Sequence, residues 1–284
     1  MLTGMSASVA AVTAMALVAF ASNSILCRLA LKGGTIDAAS FTAIRLVSGA
    51  VLLAAIVASQ RGTRIAGTWS GAAALFAYAI LFSFAYLAMG AGAGALVLFG
   101  AVQVGMIGYG LFRGERIKPI GIAGVLLAIG GLVWLLGPGL DAPPALSAAM
   151  MAGAGFAWAA YSIIGKSAAD PVADTAGNFV RAAPASLIAL VPAFAGLHVS
   201  PAGAAYAVLS GAITSGLGYV AWYAALRSID STRAGVLQLS VPVIAAAGGI
   251  AFLGEPISLR LIGASLLTLG GVSLVLLDKR RQAK

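Results

Sequence analysis

Side chains capable of chemistry are scarce in this sequence, and most of them interrupt long apolar runs. Three uncharged amides stand in such runs: Asn23, Gln103 and Gln238. An amide without a partner in apolar surroundings is costly, so each must face a partner, water or a bound molecule. They could bond the ammonium and carboxylate of a zwitterion, or tie neighbouring helices together at about 1 kcal/mol each. Phe99 precedes Gln103 by one helical turn, which places an apolar and a polar element on one face. Aromatic residues also recur at helical spacing: Tyr78, Phe82 and Tyr86; Trp158 and Tyr161; Tyr219, Trp222 and Tyr223. Rings placed this way stack on an aromatic solute or hold a cation, and they serve equally as ordinary packing or as interfacial belts.

Arg45 and Arg181 are the charges that fall clearly inside apolar runs. At 1.5 Å per residue each lies roughly 10 Å deep, from where a long side chain still snorkels to the headgroups. They read as corresponding positions of two halves, and their functional alternative is an anchor for a carboxylate, or a gate. No Asp or Glu falls in the middle of a run. Asp37 and Asp174 read as helix N-caps, and Glu115 and Glu255 as residues favouring the N-termini of the helices that follow them. Without an acid at mid-depth, facilitated diffusion or exchange is expected in preference to proton antiport.

Other chemistries find no support. Gly165-Lys166-Ser167 resembles the end of a phosphate-binding loop, but the glycine required five residues earlier is Ala160. The lone His198 provides neither a paired-histidine metal site nor a Ser–His couple, and the lone Cys27 excludes an internal disulfide. No enzyme activity, cofactor or metal is expected.

These residues must be positioned by membrane-spanning helices. With 61% hydrophobic and 9% charged residues in 284 positions, the chain lacks the polar surface of a soluble globule. The apolar runs are too long and too unbroken for a β-barrel, and 37 glycines suit close helix packing in lipid. Ten spans are expected near 9–31, 38–59, 69–89, 94–112, 118–136, 146–166, 175–196, 202–226, 234–253 and 258–277. The first run has no basic segment before it and reads as a retained span. With the amino terminus in the cytoplasm, that side receives Arg61, Arg64, Arg113, Arg116, Lys118, Lys166, Arg227, Arg233, Lys279, Arg280, Arg281 and Lys284. The other side keeps Arg28, Lys32 and Arg260, so both termini are expected to be cytoplasmic. Topology and anionic lipid account for the net charge of +9, and no nucleic-acid partner is implied.

Sliding the chain by 140 positions lays Phe112-Arg113-Gly114-Glu115 over Phe252-Leu253-Gly254-Glu255 and Gly130-Gly131 over Gly270-Gly271. Ser70-Gly71-Ala72 falls on Ser210-Gly211-Ala212 at the same offset. Each half holds five spans, an odd number, so the second is inverted. The expected fold is an all-α integral membrane protein of ten transmembrane helices in two inverted five-helix repeats, 1–140 and 141–284. A chain carrying both halves of a carrier is able to act as a monomer. Pro242 breaks a backbone bond in the ninth span, and Gly100, Gly105, Gly108 and Gly110 soften the fourth, so these two are expected to pivot.

The paired Gly-Glu motifs ahead of a Gly-Gly span, together with Phe20-Ala21-Ser22-Asn23 and Ala157-Trp158-Ala159-Ala160-Tyr161, resemble the ten-helix, two-EamA-repeat branch of the drug/metabolite transporter superfamily. The resemblance covers nearly the whole chain and is most similar to bacterial exporters of aromatic and other neutral amino acids. It implies a secondary transporter in the bacterial inner membrane that passes an amino-acid-like solute through a central cavity by alternating access. Export of other metabolites or of organic cations such as methyl viologen by proton antiport, or a channel-like pore, are the alternatives. Substrate contacts are expected from Asn23, Tyr78, Phe82, Phe99, Gln103, Trp158, Tyr161, Tyr219, Trp222 and Gln238, and gating or anchoring from Arg45, Arg181 and Pro242. Family members often carry Trp where this chain has Phe20, which bears on stacking at that position.

Overall fold

The computed structural model describes residues 7–60, 63–114, 119–139, 142–166, 168–226, 228–229 and 237–282. Glu115 lies outside these residues, as do Arg61, Arg116, Lys118, Arg227, Arg233 and Lys284. Apolar runs become helices α1 (Ala7–Lys32), α2 (Ala38–Ser59), α3 (Trp69–Ala85), α4 (Ala91–Phe112), α5 (Pro119–Leu136), α6 (Ala145–Gly165) and α7 (Pro171–Ile188). The eighth span is one rod made of α8 (Pro201–Val208), a π-helical stretch (Leu209–Leu217) and α9 (Gly218–Leu226). Helices α10 (Ser240–Leu253) and α11 (Leu259–Gln282) complete the bundle. Seven of the described helices are long and apolar enough to cross a bilayer, while α3 and α10 are shorter apolar helices.

Close approach of backbones holds the bundle together, as expected where lipid removes the hydrophobic drive between helices. A Cβ on Gly211 would lie 2.0 Å from the carbonyl oxygen of Arg45, and one on Gly177 would lie 1.8 Å from that of Ala66. Large apolar side chains point outward instead: Leu126, Val133 and Leu266 are each more than 60% exposed. The contact pattern is reciprocal. Helix α5 packs on α11, α2 on α7 and α4 on α10; α3 meets α6 as α9 meets α1, and α4 meets α6 as α10 meets α1.

Loops close the two ends differently. At one end Asp37 caps α2, accepting from the Ser40 N–H at 2.8 Å, and its second oxygen accepts from the His198 N–H at 3.0 Å. An antiparallel bridge between Ile36 and Val199 continues that tie. At the opposite end Ala66, Gly67 and Thr68 donate to the Ala173 carbonyl, the Asp174 carboxylate and the Asn178 amide oxygen.

Several sequence expectations are corrected. Asp170, not Asp174, caps α7, and Pro171 sits in the first turn, where its missing N–H costs nothing. The helix therefore starts four residues before the expected 175 and ends at Ile188. Pro242 is the third residue of α10; Leu237 and Gln238 are helical ahead of it, and Leu239, in helical backbone conformation, interrupts the run three residues before the proline, whose missing N–H cannot bond the preceding turn. The interior proline is Pro184 of α7. Glu255 serves the N-terminus of α4, accepting from the Ala91 N–H at 2.8 Å, and not that of the helix following it.

Two stability outcomes follow from this packing. Gly211→Ala forces the π stretch off α2 and is expected to cost about 1–3 kcal/mol, whereas Gly130→Ala, with open space around it, is expected to leave stability unchanged or slightly raised. Loss of monodisperse protein on heating in detergent distinguishes them. Partial burial opposes the Asp37 charge, but the bonds from Ser40 and His198 outweigh it and hold the carboxyl below its ordinary value. Its contribution is therefore present above pH about 3.9 and lost as pH falls through the lower native value. Asp37→Ala is expected to cost about 0.5–2 kcal/mol near neutrality, with the gap from the parent protein closing only below about pH 4, as read from thermal melts across pH.

Candidate functional site

At the centre of the bundle the interior turns polar. Asn23 of α1 is buried, and three hydroxyls converge on its Oδ1: Ser210 at 2.9 Å, Thr214, and Ser215 at 3.3 Å. The π-helical stretch makes this convergence possible. Closing its bonds over five residues widens the turn, so Thr214 and Ser215 both lie one turn on from Ser210. Arg45 of α2 enters from the other side, only 1% exposed. Its Nε and one Nη donate to Ser215 Oγ at 3.2 Å, and the same Nη donates to the Tyr78 hydroxyl at 3.1 Å. The guanidinium also stands 4.9 Å from the centre of the Phe82 ring and 5.1 Å from that of Tyr78.

An aromatic cluster encloses this knot, with Trp158 of α6 as its hub. Its ring lies 4.8 Å from Tyr219, 5.0 Å from Tyr78, 5.4 Å from Tyr161 and 6.1 Å from Phe20. Phe20 meets Trp158, Tyr219 and Trp222 edge-on. Phe20, Asn23, Tyr78, Phe82, Leu98, Phe99, Trp158 and Tyr219 line a cavity of about 10 Å³, room for roughly one water molecule. The conformation is thus closed around a wall of rings and one amide.

Of the residues singled out in the sequence, Asn23, Tyr78, Phe82, Phe99, Trp158 and Tyr219 meet at this cavity. Tyr161 lies behind Trp158, and Trp222 behind Phe20. Gln103 is buried on α4 one turn from Phe99 without lining the cavity, Gln238 is half-buried just ahead of α10, and Pro242 is buried in the first turn of α10. The two arginines are not equivalent. Arg45 does not snorkel but ends in the centre, whereas the partly buried Arg181 donates to the carbonyls of Ala66 and Gly177 and faces the Trp69 ring at the loop end. They stand four residues, one helical turn, out of the repeat register. Ser210, Thr214 and Ser215 escaped the sequence reading. Their signal was a cluster of hydroxyls inside an apolar run, at a spacing only a π turn collects on one face.

A second polar set seals one end. Arg28 bonds the carbonyls of Tyr86 and Leu87 at 2.8 and 2.9 Å and pairs with Glu255 at 3.4 Å, while Lys32 donates to the Leu253 carbonyl. Together with the Glu255–Ala91 bond these join α1, the α3–α4 turn and the α10 terminus, which ends in left-handed Gly254. No group of three or more potential metal ligands occurs among the described residues.

Comparison with known proteins places this geometry in context. The profile of the EamA-like transporter family matches residues 145–277. An uncharacterised protein of Pseudomonas aeruginosa is 49% identical over 95% of both chains. The threonine/homoserine exporter RhtA of Escherichia coli is 30% identical over 191 residues, 63% of this chain and 62% of that protein. A crystal structure superimposes with a TM-score of 0.67 at 22% identity, covering 94% of this chain and 99% of the other, a likeness of fold.

The seal is testable through Cys27, the single cysteine, which is fully buried beside Arg28. Glu255→Gln removes the charge that holds Arg28 and the α4 terminus. Each 1.4 kcal/mol lost from the closed state raises opening about tenfold, so maleimide labelling of Cys27 is expected to accelerate by about that factor, with no change in Tyr161→Phe at the far side of the cluster.

Proposed function

Because the chain belongs to the EamA-like transporter family, we propose that it exports neutral amino acids, aromatic ones among them, by alternating access between two inverted repeats, residues 1–140 and 141–284. The observation that carries this reading is the cavity itself. Helices of both halves contribute to it, α1, α3 and α4 from the first and α6 and α9 from the second, and rings, one amide and hydroxyls line or back its wall. Such a lining suits a small solute with an apolar body and a polar head. RhtA, related over 62% of its length, is by name an exporter of two amino acids.

In this reading both termini are cytoplasmic, following the distribution of Lys and Arg. The Arg28–Glu255 seal then faces outward, and the Gly67–Asp174 and Thr68–Asn178 bonds close the cytoplasmic end. A cavity of about 10 Å³ holds no amino acid, so one seal must part and the rings must separate before a solute enters. Bending falls to Pro184 of α7 and to the π stretch, where the backbone ladder is already interrupted or widened. Among the described residues no acid lies at mid-depth, which favours facilitated exchange over proton coupling. The chain holds both halves of the carrier and so acts as a monomer.

The test is counterflow of labelled phenylalanine and threonine in liposomes of purified protein, with and without a pH gradient. Saturable counterflow, stimulated by unlabelled solute on the opposite side and indifferent to the gradient, is expected. Trp158→Ala is expected to reduce it at least tenfold, since removing the hub leaves a gap worth about 3–5 kcal/mol of packing. Non-saturable flux would turn the reading towards a pore, and absence of flux for every amino acid would remove the substrate assignment.

A further inference from the structure

We propose that Arg45 and Tyr219 form a carboxylate-binding subsite, and that the solute is recognised as a carboxylate with an apolar body whose ammonium group, where there is one, adds nothing to recognition. This rests on the transport reading above and narrows its substrate class.

Charge balance provides the first argument. Arg45 is 1% exposed at the heart of the bundle, and a guanidinium does not lose its proton in a protein. A buried charge with no counter-ion is strongly disfavoured, yet its hydrogen-bond partners are two neutral hydroxyls, on Ser215 and Tyr78. Among the described acids, Asp37, Asp170 and Asp174 bond backbone N–H groups near the loop ends, and Glu255 binds Arg28. None reaches Arg45. Its Nη1 is buried without any hydrogen-bond partner.

The second argument is the other unpartnered group. The Tyr219 hydroxyl is also buried without a well-formed hydrogen bond, its ring lines the cavity, and it adjoins Ser215, the hydroxyl to which Arg45 donates. A guanidinium N–H and a phenol O–H, both buried beside Ser215, are two donors for the two oxygens of a carboxylate, and bonds of that kind are the strong ones. In the closed conformation Arg45 sits behind the rings of Tyr78 and Phe82. A solute that parts those rings meets the guanidinium.

The third argument concerns what is already occupied. Asn23 Oδ1, the amide acceptor facing the cavity, takes bonds from Ser210, Thr214 and Ser215. The faces of Tyr78 and Phe82, which would attract a cation, hold the guanidinium. An ammonium group therefore finds the amide acceptor and the faces of Tyr78 and Phe82 already engaged, and a dication meets a fixed positive charge. Phe20, Leu98, Phe99 and Trp158 provide the apolar remainder.

The experiment sets phenylalanine against two analogues that each lack one charge, 3-phenylpropionate and phenethylamine, as competitors of labelled phenylalanine counterflow. 3-Phenylpropionate is expected to inhibit at least as well as unlabelled phenylalanine, and phenethylamine at least about tenfold more weakly, the worth of one hydrogen bond to a charged group. Equal or better inhibition by the amine overturns the proposal while leaving amino-acid transport standing. Tyr219→Phe removes a hydroxyl that makes no well-formed hydrogen bond, so its melting temperature is expected to stay nearly unchanged while KM for phenylalanine rises about tenfold; an unchanged KM overturns the subsite. Arg45→Lys, which keeps the charge, is expected to retain more 3-phenylpropionate inhibition than Arg45→Gln. Should phenylalanine counterflow be absent altogether, the transport reading fails and tryptophan fluorescence titrations decide the subsite. Quenching by 3-phenylpropionate that Tyr219→Phe weakens supports it, and quenching by phenethylamine alone, or by neither compound, overturns it.

Discussion

Asn23 Oδ1 gathers three hydroxyls from one turn of the eighth span, and one of these hydroxyls, on Ser215, passes the network on to Arg45 and thence to Tyr78. Four elements, α1, α2, α3 and the π stretch, are joined through this chain of bonds. In hydrocarbon an unmet polar group costs several times what a met one contributes, so the network specifies a register more than it adds stability. Slipping any of the four elements by a turn strands a polar atom. The π geometry follows from the same demand, because a regular α turn would aim only one of Thr214 and Ser215 at the acceptor.

Around that knot the bundle is organised inside-out relative to a soluble protein. Leu126, Val133 and Leu266 face lipid, while Arg45, Ser83, Asn23 and Ser215 lie buried. Helices approach through glycine, as at Gly211 against the Arg45 carbonyl and at Gly124 against Gly271. Backbones this close leave little void, and the rings of Phe20, Tyr78, Trp158 and Tyr219 fill what remains. A closed aromatic core between two hydrogen-bonded ends is the arrangement an alternating carrier requires. Each seal is a handful of polar contacts, separable without dismantling the core.

The fold was readable from composition, run length and the repeat of Gly-Glu and Gly-Gly motifs, since a bilayer permits few architectures and each leaves a strong signature. Helix boundaries were readable wherever the capping chemistry is local, as at Asp37. They were misread at α7, whose expected start at 175 passes over the first-turn Pro171, and whose expected cap Asp174 instead sends its carboxylate across to Gly67. Glu255 was misplaced for a related reason: it serves a helix terminus 164 residues away in the chain.

For the cavity, the sequence alone determined which residue types were available and on which helical faces they fell: Tyr78 with Phe82, Trp158 with Tyr161, Asn23 in an apolar run. Periodicity is a local property, and it is preserved when the helix packs. Which faces meet is not local. That Phe20 joins the cluster, that Arg45 ends at the centre while Arg181 ends at a loop, and that Ser210, Thr214 and Ser215 share one acceptor were decided only by the packing of helices from both halves. The physical reason is the cost of polar groups in an apolar medium. The sequence says that Asn23 and Arg45 must find partners, and only the three-dimensional arrangement says which ones, leaving Arg45 Nη1 and the Tyr219 hydroxyl with none.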